Sequence, residues 1–100
     1  MNDVCLYILC PPSVEENLLD LLLVMPDEVV FTRQIVAAHG VAFGELSQSE
    51  QVLGRASAVE IKVLCTQVLL DEIIGMLGQR FQAVGLRYWT LAIQEAGEIR

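Results

Sequence analysis

The sequence has few basic residues, a single histidine and no long apolar run. Six lysines and arginines stand against thirteen aspartates and glutamates, for a net charge of −7. The basic residues are scattered, whereas binding to a phosphate backbone needs a concentrated positive surface. Nucleic acid is therefore excluded as a partner, and an anionic membrane surface is disfavoured for the same reason. Because no apolar run approaches about 20 residues, direct membrane insertion is excluded as well.

Cysteine is also scarce, and its number is odd. The chain has three cysteines, and its first residues, Met1-Asn2-Asp3, are acidic where a secretion signal would be basic. These features predict a cytoplasmic protein whose cysteines are free thiols. Cys5 and Cys10 are five residues apart on one predicted strand, so they point to opposite faces and cannot share a metal ion. Cys5 and Cys65 would be near each other if their strands pair, but both could simply be small core residues.

Apolar residues, in contrast, are abundant. Counted without the seven glycines, they make up 54% of the chain. Globular proteins average only about 45–50%, even when glycine is counted as apolar. A chain of 100 residues buries only about two thirds of the surface that its unfolded form exposes. The excess predicts association with a partner, of which a second copy is the simplest.

The hydrophobic pattern predicts four strands and two helices in one domain, residues 1–100. The strands are predicted at 4–10, 29–38, 58–65 and 86–93, from apolar runs or strict alternation. The first helix begins at Ser13, which has the capping-box spacing to Glu16, and Pro26 ends it. Thr66 is the expected N-cap of the second helix, with Asp71 and Glu72 early in it.

This order, βαββαβ, predicts an α+β, ferredoxin-like fold. Right-handed crossovers place both helices on one face of a four-stranded antiparallel sheet, with the first and third strands central. The other face is then bare, although the first strand is apolar on both sides. Most apolar residues of the first helix form a stripe along one side. Leu19 and Leu23 fall outside that stripe and add a further apolar surface. The sequence therefore predicts self-association through the bare sheet face.

The segment from His39 to Ala56 is predicted to be a long polar loop, and loops of this length are usually functional or disordered. An imidazole and carboxylates suit zinc, copper or nickel, so His39 with Glu45 or Glu50 is the candidate metal site. A divalent metal ion is the one cofactor that the sequence suggests. The alternative is a histidine in solvent or against a neighbouring subunit.

Four residues on the third and fourth strands are candidates for a subunit interface or an intersubunit cleft. Arg87 and Trp89 share one side of the fourth strand, as Glu60 and Lys62 share one side of the third. Tryptophan and arginine are enriched in interfaces, which favours the interface role. No catalytic residues are predicted, because His39 is the only histidine and the cysteines lie on predicted strands.

Three motifs carry a family resemblance. They are Cys10-Pro11-Pro12 with Glu15-Glu16, the loop pattern from His39-Gly40 through Leu46-Ser47 to Glu50-Gln51-Val52-Leu53-Gly54-Arg55, and Gly85-Leu86-Arg87-Tyr88-Trp89. With these motifs nearly the whole chain resembles PII-like proteins, the superfamily that includes the nitrogen-signalling PII proteins and the CutA proteins of divalent-ion tolerance. More narrowly, the chain is similar to a PII-like family encoded beside heavy-metal efflux pumps of the resistance-nodulation-division class.

The resemblance implies a homotrimer whose sheets line the inside, and a regulatory loop that meets ligands and partner proteins. The loop residues that it implies as ligand or partner contacts are His39, Gly40, Glu45, Ser47, Glu50, Gln51, Gly54 and Arg55. The expected function is non-enzymatic signalling, in which the loop senses a small ligand or metal ion and contacts a partner such as an efflux-pump component. The alternatives are a CutA-like protein that binds divalent metal directly and, from another class, an enzyme on the same fold.

Overall fold

The computed structural model describes residues 3–25, 29–43 and 54–100. Within them the order of elements is the predicted βαββαβ. The elements are strand β1 (Val4–Cys10), a 3₁₀ turn (Pro12–Val14), helix α1 (Glu15–Leu23), strands β2 (Val30–His39) and β3 (Arg55–Cys65), helix α2 (Gln67–Arg80) and strand β4 (Arg87–Ala92). None of the helices in these ranges is both long and apolar enough to cross a membrane.

The four strands form one antiparallel sheet in the order β2-β3-β1-β4. This order confirms that the first and third strands are central and confirms the ferredoxin-like α+β fold. The register places Leu6 of β1 opposite Val63 of β3 and Thr90 of β4. Because side chains alternate between faces along a strand, this register decides which residues of different strands share a face.

The core lies between the two helices and one face of the sheet. Its central side chains are fully or almost fully buried and come from both middle strands and both helices: Leu6, Ile8, Leu18, Leu22, Ile61, Val63 and Ile73. Burying a side chain of this size stabilises the fold by about 1.5–3 kcal/mol. On α1, Leu23 is exposed as the stripe predicts, whereas Leu19 packs partly against the core.

The predicted start of the first helix is wrong, and that of the second is right. Residues 12–14 form a 3₁₀ turn, so the N-cap position of α1 is Val14, and no side chain caps it. Ser13 therefore lies inside the turn and forms no capping box. Thr66 caps α2, because its hydroxyl oxygen accepts a hydrogen bond from the backbone N–H of Leu69 at 3.2 Å. No acidic residue lies in the first turn of α2, since Asp71 comes a full turn after Gln67.

The hairpin of β2 and β3 is longer than predicted, so the loop between them is shorter. His39, Arg55 and Ala56, which the sequence places in the loop, belong to the paired strands. The last pair joins His39 to Arg55, and the glycines next to it, Gly40 and Gly54, have φ values of +78° and +68°. Only glycine adopts such backbone angles without strain, so these two positions mark where the chain leaves the sheet.

Arg33 interrupts the apolar side of β2 for a structural reason. Its guanidinium donates two hydrogen bonds to the carboxylate of Glu15 at the start of α1, and the Nη2–Oε1 distance is 3.0 Å. The pair ties an edge strand to a helix. Since the side chains are 42% and 20% exposed, its contribution to stability is about 0.2–1 kcal/mol.

Candidate functional site

The side of the sheet away from the helices, called the open face here, brings together all four predicted interface residues. Glu60 and Arg87 both lie opposite Leu9, and Lys62 and Trp89 both lie opposite Tyr7. Three rows of side chains therefore cross the open face. From β2 to β4 the rows are Val30–Leu64–Cys5–Leu91, Thr32–Lys62–Tyr7–Trp89 and Gln34–Glu60–Leu9–Arg87.

The first row of the open face is apolar across all four strands. Val30 and Leu91 at its ends are 57% and 52% exposed, and Leu64 and Cys5 between them are partly exposed. Contiguous exposed apolar surface on a sheet marks an interaction site more often than isolated apolar residues do. The excess of apolar residues in the composition thus has a definite location.

The second row combines a cation with two aromatic rings. The Lys62 ammonium lies 5.5 Å from the centre of the Tyr7 ring. The Tyr7 and Trp89 rings stack with their centres 5.5 Å apart and their planes 18° apart. Such contacts stabilise by about 0.5–1.5 kcal/mol each and hold the rings in one orientation. The sequence analysis missed Tyr7, although the alternation of β1 places it on the same side as Cys5 and Leu9.

The third row carries charge. The Glu60 carboxylate oxygen Oε1 lies 3.7 Å from the Lys62 ammonium nitrogen, and the Glu60 side chain is only 17% exposed. Arg87 has no ion pair or hydrogen bond within residues 3–25, 29–43 and 54–100. Among the described residues, the open face therefore presents one acid that contacts Lys62 and one cation without a partner, on either side of Leu9.

One end of the open face is covered by the start of the loop. Phe43 is buried against Ala38, Ala56 and Ala58, and Val41 packs beside them. The segment 41–43 thus folds back onto the sheet, because Val41 and Phe43 are apolar and find an alanine-lined surface there. The sequence analysis counted these residues as part of a mostly polar loop, and the apolar pair was the signal that it missed.

The turn before β4 holds this segment from the other side. Gly85 has φ +87°, and a Cβ atom built on it would lie 2.2 Å from the carbonyl oxygen of Ala42. Contacts this short do not occur for real Cβ atoms, so only glycine fits. The backbone of the loop's first residues therefore rests directly on the turn that leads into β4.

A cavity of about 310 Å³ lies between α2, this turn and β4. That volume is at the lower end of the range of about 300–1,000 Å³ for small-molecule pockets. Its lining is mostly apolar, with Gln82 and Tyr88 as the polar members: Ile8, Ile74, Leu77, Gly78, Phe81, Gln82, Gly85, Leu86 and Tyr88. Gly85 therefore belongs both to the wall of the cavity and to the anchor of the loop.

The predicted metal site is only partly placed. His39 is exposed at the end of β2, directly opposite Arg55. Glu45, Ser47, Glu50 and Gln51 lie outside the described residues. Among the residues that are described, no three His, Cys, Asp or Glu side chains lie close enough together to hold a metal ion.

The sheet separates one of the three thiols, that of Cys5, from the other two. Cys5 lies on the open face, whereas Cys10 and Cys65 lie in the core on the helix side. Cys65 pairs with Val4, so it faces away from Cys5, although their positions are neighbours. Burial raises the pKa of all three thiols, most clearly that of Cys10, to about 11, with a smaller upward contribution from the carboxylate of Glu15. Thiols with raised pKa values are poor nucleophiles at neutral pH.

Comparison with known proteins gives a family and a fold. The model of the DUF3240 family, described as a protein of unknown function, matches residues 1–100. The structure of a DUF3240 family protein from Shewanella baltica OS155 is similar over 100% of this chain and 99% of that chain, with 12% sequence identity and a TM-score of 0.79. Among curated proteins none matches this sequence.

Two further solved structures are PII-like. CPII, a nitrogen regulatory PII-like protein from Thiomonas intermedia K12, is similar over 99% of this chain and 98% of its own, with 18% identity and a TM-score of 0.66; its structure is bound to ADP, AMP and bicarbonate. GlnK of B. subtilis is similar over 94% of this chain and 87% of its own, with 13% identity and a TM-score of 0.55. At these identities the likeness is one of fold.

Proposed function

This chain belongs to the DUF3240 family and has the fold of PII-like proteins, and from that premise we propose that it is a non-enzymatic regulatory protein. Its long loop changes conformation when a small ligand binds, and so alters the contact with a partner protein. The mechanism is a population shift. The ligand binds one conformation of the loop more tightly than another, and this difference in affinity sets how far the equilibrium between the conformations moves.

The observation that carries this proposal is the double role of Gly85. It lines the cavity between α2 and β4, and its Cα lies against the backbone of Ala42 at the start of the loop. A ligand that enters the cavity and shifts the turn at Gly85 must also shift Ala42. The displacement then passes to Phe43, whose burial on the open face holds the first residues of the loop in place.

The ligand that suits this cavity has an apolar, planar part and few charges. The lining offers aliphatic and aromatic side chains, with one amide and one phenol as polar groups. CPII is bound to ADP, AMP and bicarbonate, and an adenine ring has the size and planarity that the cavity accepts. A phosphate group would lie outside it, because none of the described residues that line the cavity is a cation.

A metal ion at His39 is a second candidate for the signal. The exposed imidazole lies at the base of the loop that carries Glu45 and Glu50, next to the glycine where the chain leaves the sheet. The partner that we propose is a component of a heavy-metal efflux pump, as the family resemblance implies. The compartment that we propose is the cytoplasm, as the composition predicts. Direct metal binding of the CutA type would show as stoichiometric metal in the purified protein.

Calorimetric titration tests the ligand. The probes are AMP, ADP and sodium bicarbonate, and then zinc, copper and nickel chlorides. Gly78 lines the cavity and Gly75 does not, and both helical glycines have open space around them. We expect a nucleotide to bind to the wild type and to Gly75→Leu, but at least about tenfold more weakly to Gly78→Leu, since the new side chain fills the cavity. Hydrogen exchange in the loop should change with the same probe.

The controls separate the two signals. Suppose that metal still binds to Gly78→Leu but no longer binds to His39→Ala. The ligand site would then lie at the loop and not in the cavity. No heat with any of the six probes, or equal nucleotide binding by both leucine variants, would contradict the cavity as the site of regulation.

We also propose that the protein is a homotrimer in which the open faces meet. The exposed apolar row and the aromatic row support this, because association is the way to remove such surface from water. Within the described residues, the segment 41–43 covers one end of this open face.

The thiol of Cys5 reports this assembly, since Cys5 lies in the apolar row. We expect its rate of modification by a disulfide reagent to fall as the protein concentration rises, because association covers it. Cys10 and Cys65 should react more slowly at every concentration, since both are buried in the core whereas Cys5 is partly exposed. Cys5→Ser, which removes the fast reaction, is the control. A rate for Cys5 that is independent of concentration across the range where light scattering reports assembly would contradict this interface.

A further inference from the structure

We infer that Arg87 of one copy forms an ion pair with Glu60 of the neighbouring copy where the open faces meet. The inference rests on the proposed assembly. In that assembly the ion pair fixes how the open faces of two copies are aligned. It concerns two side chains of opposite charge that lie on the same face and are not paired with each other within one copy.

Arg87 is the side of the pair that has no partner among the residues that the structure describes. It begins β4, an edge strand, and projects from the open face beside Trp89. No carboxylate in the described ranges lies within ion-pair distance of its guanidinium. Covering this face with a neighbour would bury an unpaired guanidinium, which is costly unless the neighbour supplies an acid.

Glu60 is the acid that the same face offers. It lies on the other side of Leu9 from Arg87, two strands away, or about 9–10 Å across the sheet. Its carboxylate contacts Lys62 at 3.7 Å, which uses only part of its capacity, since an ionised carboxylate has about four acceptor positions. An arginine from outside can therefore add two hydrogen bonds without displacing Lys62.

The complementarity of charge points to a second copy as the occupant. The complementarity is local, since a second copy carries the same net charge of −7 and the attraction can come only from a cation and an acid placed to meet on the two faces. Among the described residues, Asp3 is another acid near this face, but it lies before β1, at the end away from Arg87. Glu60, flanked by apolar and aromatic side chains that themselves need covering, is the better match.

Charge reversal tests the pair, with light scattering over a range of concentrations as the readout. Arg87→Glu and Glu60→Arg should each weaken association by about tenfold or more, because each places like charges in contact. The double variant, in which every copy carries both changes, should recover most of the lost affinity, since the attraction is restored with the signs exchanged.

Matched variants keep the result specific. Arg80→Glu makes the same change of charge at the end of α2, away from the open face, and should leave association unchanged. Lys62→Gln breaks the contact within the copy and should have a smaller effect than Glu60→Arg. Circular dichroism and thermal melting confirm that each variant is folded.

The outcomes separate this inference from the proposed assembly. A wild type that stays monomeric, with the open face free for another protein, would overturn the assembly and this pair with it. A wild type that assembles, while the double variant is no tighter than either single variant, would overturn the pair alone. An effect of Asp3→Asn equal to that of Glu60→Arg would also overturn it, because the acid would then be Asp3.

Discussion

Replacing Gly85 with alanine is expected to detach the start of the loop from the sheet. The φ of +87° is unfavourable for alanine by about 1–2 kcal/mol. The added Cβ would also lie 2.2 Å from the carbonyl oxygen of Ala42, a backbone atom that cannot rotate away. Residues 41–43 must then move, and Phe43 loses its burial, which stabilises by about 1.5–3 kcal/mol. We expect urea denaturation to show a total loss of about 2.5–5 kcal/mol.

Two glycine variants divide this loss into its causes. Gly40 has φ +78° with nothing within 4 Å, so Gly40→Ala should lose only the backbone contribution of about 1–2 kcal/mol. Gly78 is helical and also has room, so Gly78→Ala should leave stability equal or raise it by up to about 1 kcal/mol. Amides of residues 41–43 should exchange faster in Gly85→Ala alone. Equal losses for Gly85→Ala and Gly40→Ala would show that the contact with Ala42 does not hold the loop.

Truncating Ile61 to alanine is expected to have the largest effect on the fold itself. Ile61 lies in the middle of a central strand, is 0% exposed and packs in the main core. Removing a side chain of this kind leaves a cavity and costs about 2–5 kcal/mol. For a chain of this length each kcal/mol lowers the Tm by about 4–8 °C. Calorimetry or thermal circular dichroism should therefore show a large drop.

Ile35 is the matched control for this truncation. It lies on the same face of the sheet, on the neighbouring strand β2, but it is 67% exposed. Ile35→Ala should change the free energy of unfolding by less than about 1 kcal/mol, because little burial is lost. Similar losses for the two variants would place the core elsewhere than between the helices and the sheet.

The fold was predictable because its signals are local. Alternation in β3, the stripe of α2 and the cap at Thr66 each need only a few neighbouring residues, and each is present in the structure. The start of α1 was predicted wrongly because Pro12–Val14 form a 3₁₀ turn. Ser13 and Glu16 have the spacing of a capping box whether the helix begins at Ser13 or follows such a turn, so the sequence does not distinguish the two structures. The strand ends of the long hairpin depend on pairing across the sheet, which a single segment does not reveal.

The candidate site was predictable only in part. Alternation placed Glu60 with Lys62 and Arg87 with Trp89, but only the register shows that both pairs share one face with Tyr7 between them. The anchoring of the loop by Phe43 and Gly85 joins residues more than forty positions apart, and no pattern along the chain connects them.

By itself the sequence determined the order of strands and helices and the apolar character of both faces of the first strand, because periodicity is a property of the chain. The tertiary structure alone decided which side chains meet: the Lys62–Tyr7–Trp89 row, the position of Arg87 opposite Leu9, and the contact of Gly85 with Ala42. The physical reason is that such contacts depend on strand register and on close packing between distant segments, and a shift of one residue would turn each of these side chains to the other face.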